Sequence, residues 1–122
     1  MPLRVLLVED SDVYRSSLEL LLAMQDGIDV VGGVATGDEA LAVCPELRPD
    51  VVLMDLRLPG AGGVAATADV LRVSPGTAVV CLTAEATPDE REAITAAGAV
   101  AVVEKGQPIE VLVAAIRTAA AG

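Results

Sequence analysis

Six residues in this chain combine type and spacing in a way that suggests chemistry: Glu9, Asp10, Asp55, Arg57, Thr83 and Lys105. Glu9 and Asp10 follow the apolar run "RVLLV" (4–8), and Asp55 follows "VVLM" (51–54). Thr83 follows "TAVVCL" (77–82), and Lys105 comes just after "AVAVV" (99–103). If those runs are neighbouring strands, Glu9, Asp10 and Asp55 converge. Three carboxylates in one crevice repel unless a cation shares it, and a hard divalent ion with oxygen ligands and retained waters, Mg²⁺, meets that need. Lys105 adds weight because it is the only lysine, the other seven bases being arginines. A carboxylate beside a metal ion, an ammonium and a hydroxyl suits phosphoryl transfer. Asp55 is then the nucleophile that forms an acyl phosphate, while the metal and Lys105 neutralise charge on the phosphoryl oxygens. The chain has no histidine, so the phosphoryl donor must be external.

Such a site requires elements that deliver its residues to one edge. The segments "RVLLV", "DVVGGV" (29–34), "VVLM", "TAVVCL" and "AVAVV" read as strands, and four of the five lack polar alternation. That is the pattern of strands covered on both faces. Helical segments lie between them, such as "DVYRSSLELLLAM" with Leu18, Leu21 and Leu22 on one face. Thr87-Pro88-Asp89-Glu90 carries an N-cap threonine, a first-turn proline and a capping-box glutamate. Thr36 and Glu39 repeat the capping-box spacing, Ser11 can cap the first helix, and Gly98 suits a helix stop. Pro45 should kink or end the second helix near Val43 to Cys44. The last helix should start at Pro108. Five β-then-α units imply a doubly wound parallel sheet with helices on both faces, and five strands fit the order 2-1-3-4-5. Ligands in such sheets bind outside the carboxyl ends of the strands, where the six residues stand.

Composition narrows the function. The 122 residues fit one compact domain over 1–122, with no linker or low-complexity segment dividing it. Hydrophobic residues make up 53%, yet Tyr14 is the only aromatic, so the core must be aliphatic. The net charge of −10 disfavours nucleic-acid binding by this domain, since phosphate contacts need clustered bases. No apolar run approaches the about 18 residues of a membrane span. The opening "MPLRVLLVED" is too short in apolar residues and too acidic for a signal peptide. Cys44 and Cys81 have no metal-ligand spacing and read as reduced structural thiols of a cytoplasmic protein. The missing histidine excludes His-based catalysis and His-ligated zinc.

These segments resemble a known family, the receiver domains of two-component response regulators. The resemblance runs through "VLLVEDS" (5–11), "PDVVLMDLRLPGAGG" (49–63), "VVCLTA" (79–84) and "AGAVAVVEKG" (97–106). "DVVGGVATGDEAL" and "PGTAVVCLTA" look most like receivers that precede a LuxR/NarL-type helix-turn-helix. The 2-1-3-4-5 order is itself typified by flavodoxin and a chemotaxis receiver, so fold and family are one inference here, not two. The resemblance implies a (βα)5 flavodoxin-like fold and phosphoryl transfer from a sensor histidine kinase onto Asp55. It implies Mg²⁺ held by Asp10, Asp55 and the backbone carbonyl of Arg57, with Glu9 reaching the ion through water. Thr83 and Lys105 would bind the phosphoryl oxygens, Thr83 also serving as the switch hydroxyl. By the same resemblance the output is a switched surface in signal transduction rather than enzymatic turnover. Homodimerisation on phosphorylation is a family-level expectation, and DNA would be reached only through an output domain outside these residues.

The chain departs from the pattern in two places. Receivers commonly carry an aromatic three residues before the lysine; here Val102 stands there, with no ring to rotate. Either loop and helix shifts carry the signal, or the domain is a weakly switched, phosphate-independent interaction module. Arg57 and Glu85 each lie two residues past a site residue, and they are expected to pair across the mouth and hinder the water that hydrolyses the acyl phosphate. A haloacid-dehalogenase-like phosphatase would need an acid where Arg57 stands, and a guanidinium cannot donate a proton in that role.

Overall fold

A computed structural model describes all residues, 1–122. Strands and helices alternate without exception: β1 (Leu3–Val8), α1 (Asp12–Ala23), β2 (Ile28–Val34), α2 (Gly37–Leu47), β3 (Val51–Asp55), α3 (Gly62–Val73), β4 (Ala78–Thr83), α4 (Pro88–Ala96), β5 (Ala101–Glu104) and α5 (Ile109–Ala121). The strands form one sheet in the order β2-β1-β3-β4-β5, with every pairing parallel. The expected doubly wound sheet is therefore present, in the expected order.

Side chains alternate across the sheet and divide the interior into two cores. Leu6, Val8, Val52, Met54, Val79 and Cys81 face the α2–α3–α4 side with Ala40, Val70 and Ile94. Val5, Leu7, Val51, Leu53, Val80, Leu82 and Val103 face the α1–α5 side with Leu18, Leu22 and Ile116. Every residue of β3 is buried, because β3 lies in the middle of the sheet and is covered on both faces. The same parity, carried to the end of β3 and one residue past β1 and β5, places Asp55, Glu9 and Lys105 toward α1 and α5. It places Thr83 on the opposite side, toward α4.

Local signals account for most helix boundaries. Ser11 caps α1 by accepting from the Tyr14 amide at 3.3 Å, and Thr87 and Glu90 form the complete reciprocal box on α4. The Thr36 box is only half made, since Glu39 turns its carboxylate to the Ala35 amide instead of the Thr36 amide. Gly98 follows α4 with φ of 119°, a conformation glycine adopts without steric cost. Pro108 occupies the cap position of α5 rather than its first turn.

Two expectations require correction. Pro45 does not end α2, which continues to Leu47 and closes with the Arg48 amide on the Cys44 carbonyl at 2.9 Å. The proline falls in the last turn and forfeits one amide bond. Ala40 and Cys44, both fully buried and both N-terminal to the proline, hold the helix against the core. Strand β5 begins at Ala101, two residues later than "AVAVV" suggests; at this sheet edge Val100 is exposed, although its amide still donates to the Val79 carbonyl at 2.8 Å.

The turn after β3 brings α3 back against the strand end. Gly60 and Gly62 both adopt positive φ there, and the Gly63 amide donates to the Leu56 carbonyl at 3.0 Å. A Cβ on Gly63 would lie 2.8 Å from Leu56 Cα and collide with the Asp55 carbonyl oxygen, and both obstacles are backbone. Gly63→Ala should therefore cost roughly 1–3 kcal/mol by overpacking, read as a lower denaturant midpoint at unchanged slope. An unaltered midpoint would mean that the strand end and α3 separate freely.

Candidate functional site

The carboxyl ends of β1 and β3 are adjacent because these strands pair directly, Val8 opposite Met54. One residue further on, Glu9 and Asp55 are buried at 4% and 6% exposure, while Asp10 is exposed. Carboxylate oxygens of Glu9, Asp10 and Asp55 all lie within 4.8 Å of one another. Buried carboxylates need partners. Glu9 accepts the Ser11 amide at 3.0 Å, and Asp55 accepts the Arg57 amide at 3.1 Å. The first partner comes from the N-cap of α1 and the second from the turn after β3.

Lys105, one residue past β5, reaches across the strand ends. Its ammonium is bonded to Glu9 and lies 3.4 Å from Asp55 Oδ2. The Lys105 amide donates to the Thr83 carbonyl at 2.7 Å, which fixes the start of the side chain. Burial alone would lower the pKa of this ammonium. The hydrogen bond to Glu9 and the charges of Asp55 and Glu9 outweigh burial and hold it above the ordinary lysine value. With one ammonium set against three acids, the cluster keeps an excess of negative charge. Three hard oxygen donors, two buried and one open to solvent, suit a divalent cation that retains some of its waters.

Thr83 is fully buried and donates its hydroxyl to the Glu85 carbonyl at 3.0 Å. That bond folds the start of the β4–α4 loop onto the strand end. Val102, paired with Cys81 in the sheet, packs against the α2–α3–α4 core. Its half-buried aliphatic side chain fills space beside α4 without spanning from core to surface.

The expected ion pair of Arg57 with the Glu85 side chain does not form. Arg57 instead makes a two-pronged contact with Glu90, Nη1 to Oε2 at 2.7 Å and Nη2 to Oε1 at 2.9 Å. It meets Glu85 only at the backbone carbonyl, at 3.5 Å. The reason lies in the first turn of α4. The capping box aims the Glu90 carboxylate back over the loop, where it also accepts the Thr87 amide at 2.9 Å. The hydrogen bond from Arg57, then that from the Thr87 amide, pull the Glu90 carboxyl down to about 2, and Glu90 in turn raises the guanidinium.

Three neighbours escaped the sequence reading. Tyr14 stacks its ring beneath the Lys105 ammonium, 4.4 Å from ring centre to nitrogen. Burial, partly offset by Lys105, raises its phenol pKa. Arg15 donates to the Glu9 carbonyl at 2.6 Å and to Asp12 at 2.7 Å. Glu90 was legible only as a capping residue. For Tyr14 a signal existed: the sole aromatic stands one helical turn past Asp10.

The chain is similar to known proteins over almost its whole length. A family model described as the response regulator receiver domain matches residues 5–117. Response regulator GacA of Pseudomonas viridiflava is 41% identical over 120 residues, 98% of this chain and 56% of the relative. Response regulator UvrY of Escherichia coli is 33% identical, over 98% of this chain and 55% of its own length. The chain thus spans about half the length of these curated relatives. Among solved structures, a LuxR-family two-component response regulator from Aurantimonas sp. SI85-9A1 superposes with a TM-score of 0.94 at 31% identity, covering 100% of this chain and 87% of that one.

Lys105 links the site to stability in a testable way. Its raised pKa means that its contribution is full below the ordinary lysine range and is lost as pH climbs through the raised value. Thermal melts stepped through the alkaline range should show that loss in the wild type. Lys105→Met should melt lower at neutral pH and lack this alkaline step. An identical alkaline limb in both proteins would dissociate the ammonium from the acids.

Proposed function

Because the chain belongs to the response regulator receiver family, we propose that Asp55 is its phosphoacceptor and that residues 1–122 form one receiver domain of two-component signal transduction. The observation that carries this reading is a buried aspartate at a central strand end, with the Glu9 and Asp10 oxygens within 4.8 Å and the Lys105 ammonium at 3.4 Å. An Asp55 oxygen attacks the phosphorus of a histidine kinase's phosphohistidine. The new O–P bond forms as the N–P bond breaks, and the imidazole leaves and takes its proton from solvent. Asp10, Asp55 and the Arg57 carbonyl would hold Mg²⁺, with Glu9 contributing through a water of the ion. When bound, the ion neutralises charge developing on the phosphoryl oxygens. Lys105 binds one of those oxygens and Thr83 another. For Thr83 this means leaving the Glu85 carbonyl, which couples the chemistry to the β4–α4 loop.

The output is a changed surface rather than a turned-over substrate. Relatives such as GacA and UvrY carry response regulator names and are about twice as long as the matched region. We assign transcription regulation to an output segment of that kind, with DNA contacted there and not by this acidic domain. Pairing of two receivers on phosphorylation belongs to the same reading, as does a cytoplasmic site of action. No helix is long and apolar enough to cross a membrane. Val102 favours one second reading, a weakly switched interaction module, because the position lacks a ring whose rotation would report the switch.

Incubation with acetyl phosphate and Mg²⁺ should add one phosphoryl group by intact mass. Asp55→Asn and chelation of the metal should each abolish labelling; an unlabelled wild type would favour the interaction module. In this reading the Arg57 guanidinium, held by Glu90 on α4 rather than by the Glu85 side chain, hinders the water that hydrolyses the acyl phosphate. Arg57→Ala should therefore shorten the phosphoryl lifetime, and a lifetime equal to that of the wild type would remove this role.

A further inference from the structure

We propose that the Arg57–Glu90 fork is a latch that fixes the first turn of α4 in the unphosphorylated protein, and that a phosphoryl group on Asp55 opens it by competing for Arg57. The coupling half of this inference rests on the phosphoacceptor reading of Asp55, whereas the latch itself does not.

Three features of α4 make it the element to be held. It buries a single side chain, Ile94, whereas α5 buries Leu112, Val113 and Ile116 and α3 buries Gly63, Ala66, Thr67 and Val70. Its sequence, PDEREAITA, is largely polar and offers the sheet little apolar surface. Little packing therefore opposes displacement of its N-terminal turn. What holds that turn is polar: the Thr87–Glu90 capping box, the Arg57–Glu90 fork, and a longer contact from Arg91 to Glu104 at 3.9 Å.

The fork is tied to the site at its other end. The Arg57 backbone amide donates to Asp55 Oδ1 at 3.1 Å, so the residue that latches α4 also touches the carboxylate to be modified. The Glu85 carbonyl forms a second clip, accepting the Thr83 hydroxyl at 3.0 Å and Arg57 Nη2 at 3.5 Å. Both donors on that carbonyl are groups a phosphoryl oxygen attracts. Phosphorylation adds oxyanions at Asp55 that compete with the Glu85 carbonyl and the Glu90 carboxylate for these donors. When Thr83 and Arg57 turn inward, Glu85 loses its two donors and Glu90 its guanidinium, and the loop from Glu85 to Thr87 is freed with the first turn of α4. A device of this kind needs no aromatic at position 102. Val102 lines the core beside α4 and can stay in place while the turn moves.

Hydrogen exchange at the Thr87, Glu90 and Arg91 amides, whose acceptors lie within the capped turn, tests the latch. Glu90→Gln keeps an oxygen for the Thr87 amide but loses the charged fork; Arg57→Met leaves the capping box intact. Without phosphate, both variants should exchange these amides faster than wild type by about two- to fivefold, the scale of one exposed ion pair. The double variant should be no faster than either single one. Unchanged exchange of the β1 and β3 amides shows that the variants are folded. Beryllofluoride with Mg²⁺ should loosen the same amides in wild type and add little in Arg57→Met. Wild-type rates in both single variants would overturn the latch, and equal loosening of wild type and Arg57→Met would overturn the competition. Failure of wild type to gain a phosphoryl group from acetyl phosphate would remove the coupling, while the phosphate-free rates still decide the latch.

Discussion

The structure depends on one half-buried ammonium. Glu9 and Asp55 arrive from paired parallel strands at nearly the same height, and both are almost fully removed from water. Carboxylates placed so would force the strand ends apart without a shared counter-charge. Lys105 supplies it from the far side of β4, held by its own amide on Thr83 and by the Tyr14 ring. Sheet order, strand parity and the position of α1 all serve this arrangement: β1 beside β3, the odd-numbered residues of β1, β3 and β5 toward α1 and α5, and a helix start that presents Ser11 to Glu9 and Tyr14 to Lys105. One cation satisfies part of the charge, and the remainder makes the edge receptive to a divalent ion.

Much of this was legible in the sequence because parallel sheets write themselves plainly. Fully buried strands read as apolar runs, so a charged residue at the end of a run marks the edge where ligands gather. The convergence of Glu9, Asp10, Asp55 and Lys105 follows from strand order alone. Other features needed coordinates. Spacing from the site residues points Arg57 to Glu85, whereas the partner it takes, Glu90, is set by the rotation of the first turn of α4. Pro45 misled for a different reason: propensity penalises a proline in a helix, but two buried neighbours in contact with the core outweigh one lost amide bond.

The two sides of the sheet differ in how firmly they are built. Facing α1 and α5, the acids and Lys105 sit over a core closed by Leu18, Leu22, Val113 and Ile116. Facing α4, a single isoleucine anchors the helix and surface charges complete the attachment. Chemistry is thus placed on the rigid side and displacement on the compliant side. Thr83 joins them, since it stands at the end of β4 with its side chain toward α4 and its carbonyl bonded to Lys105.

The lone aromatic has an optical consequence. The protein contains no tryptophan and no phenylalanine, so Tyr14 is its only intrinsic fluorophore and the main source of its near-ultraviolet absorbance. That chromophore lies against the one ammonium that touches both buried acids. Any event that draws Lys105 toward or away from Asp55 changes the field on the ring. The unlabelled protein therefore emits from its own site, with no background from elsewhere in the chain.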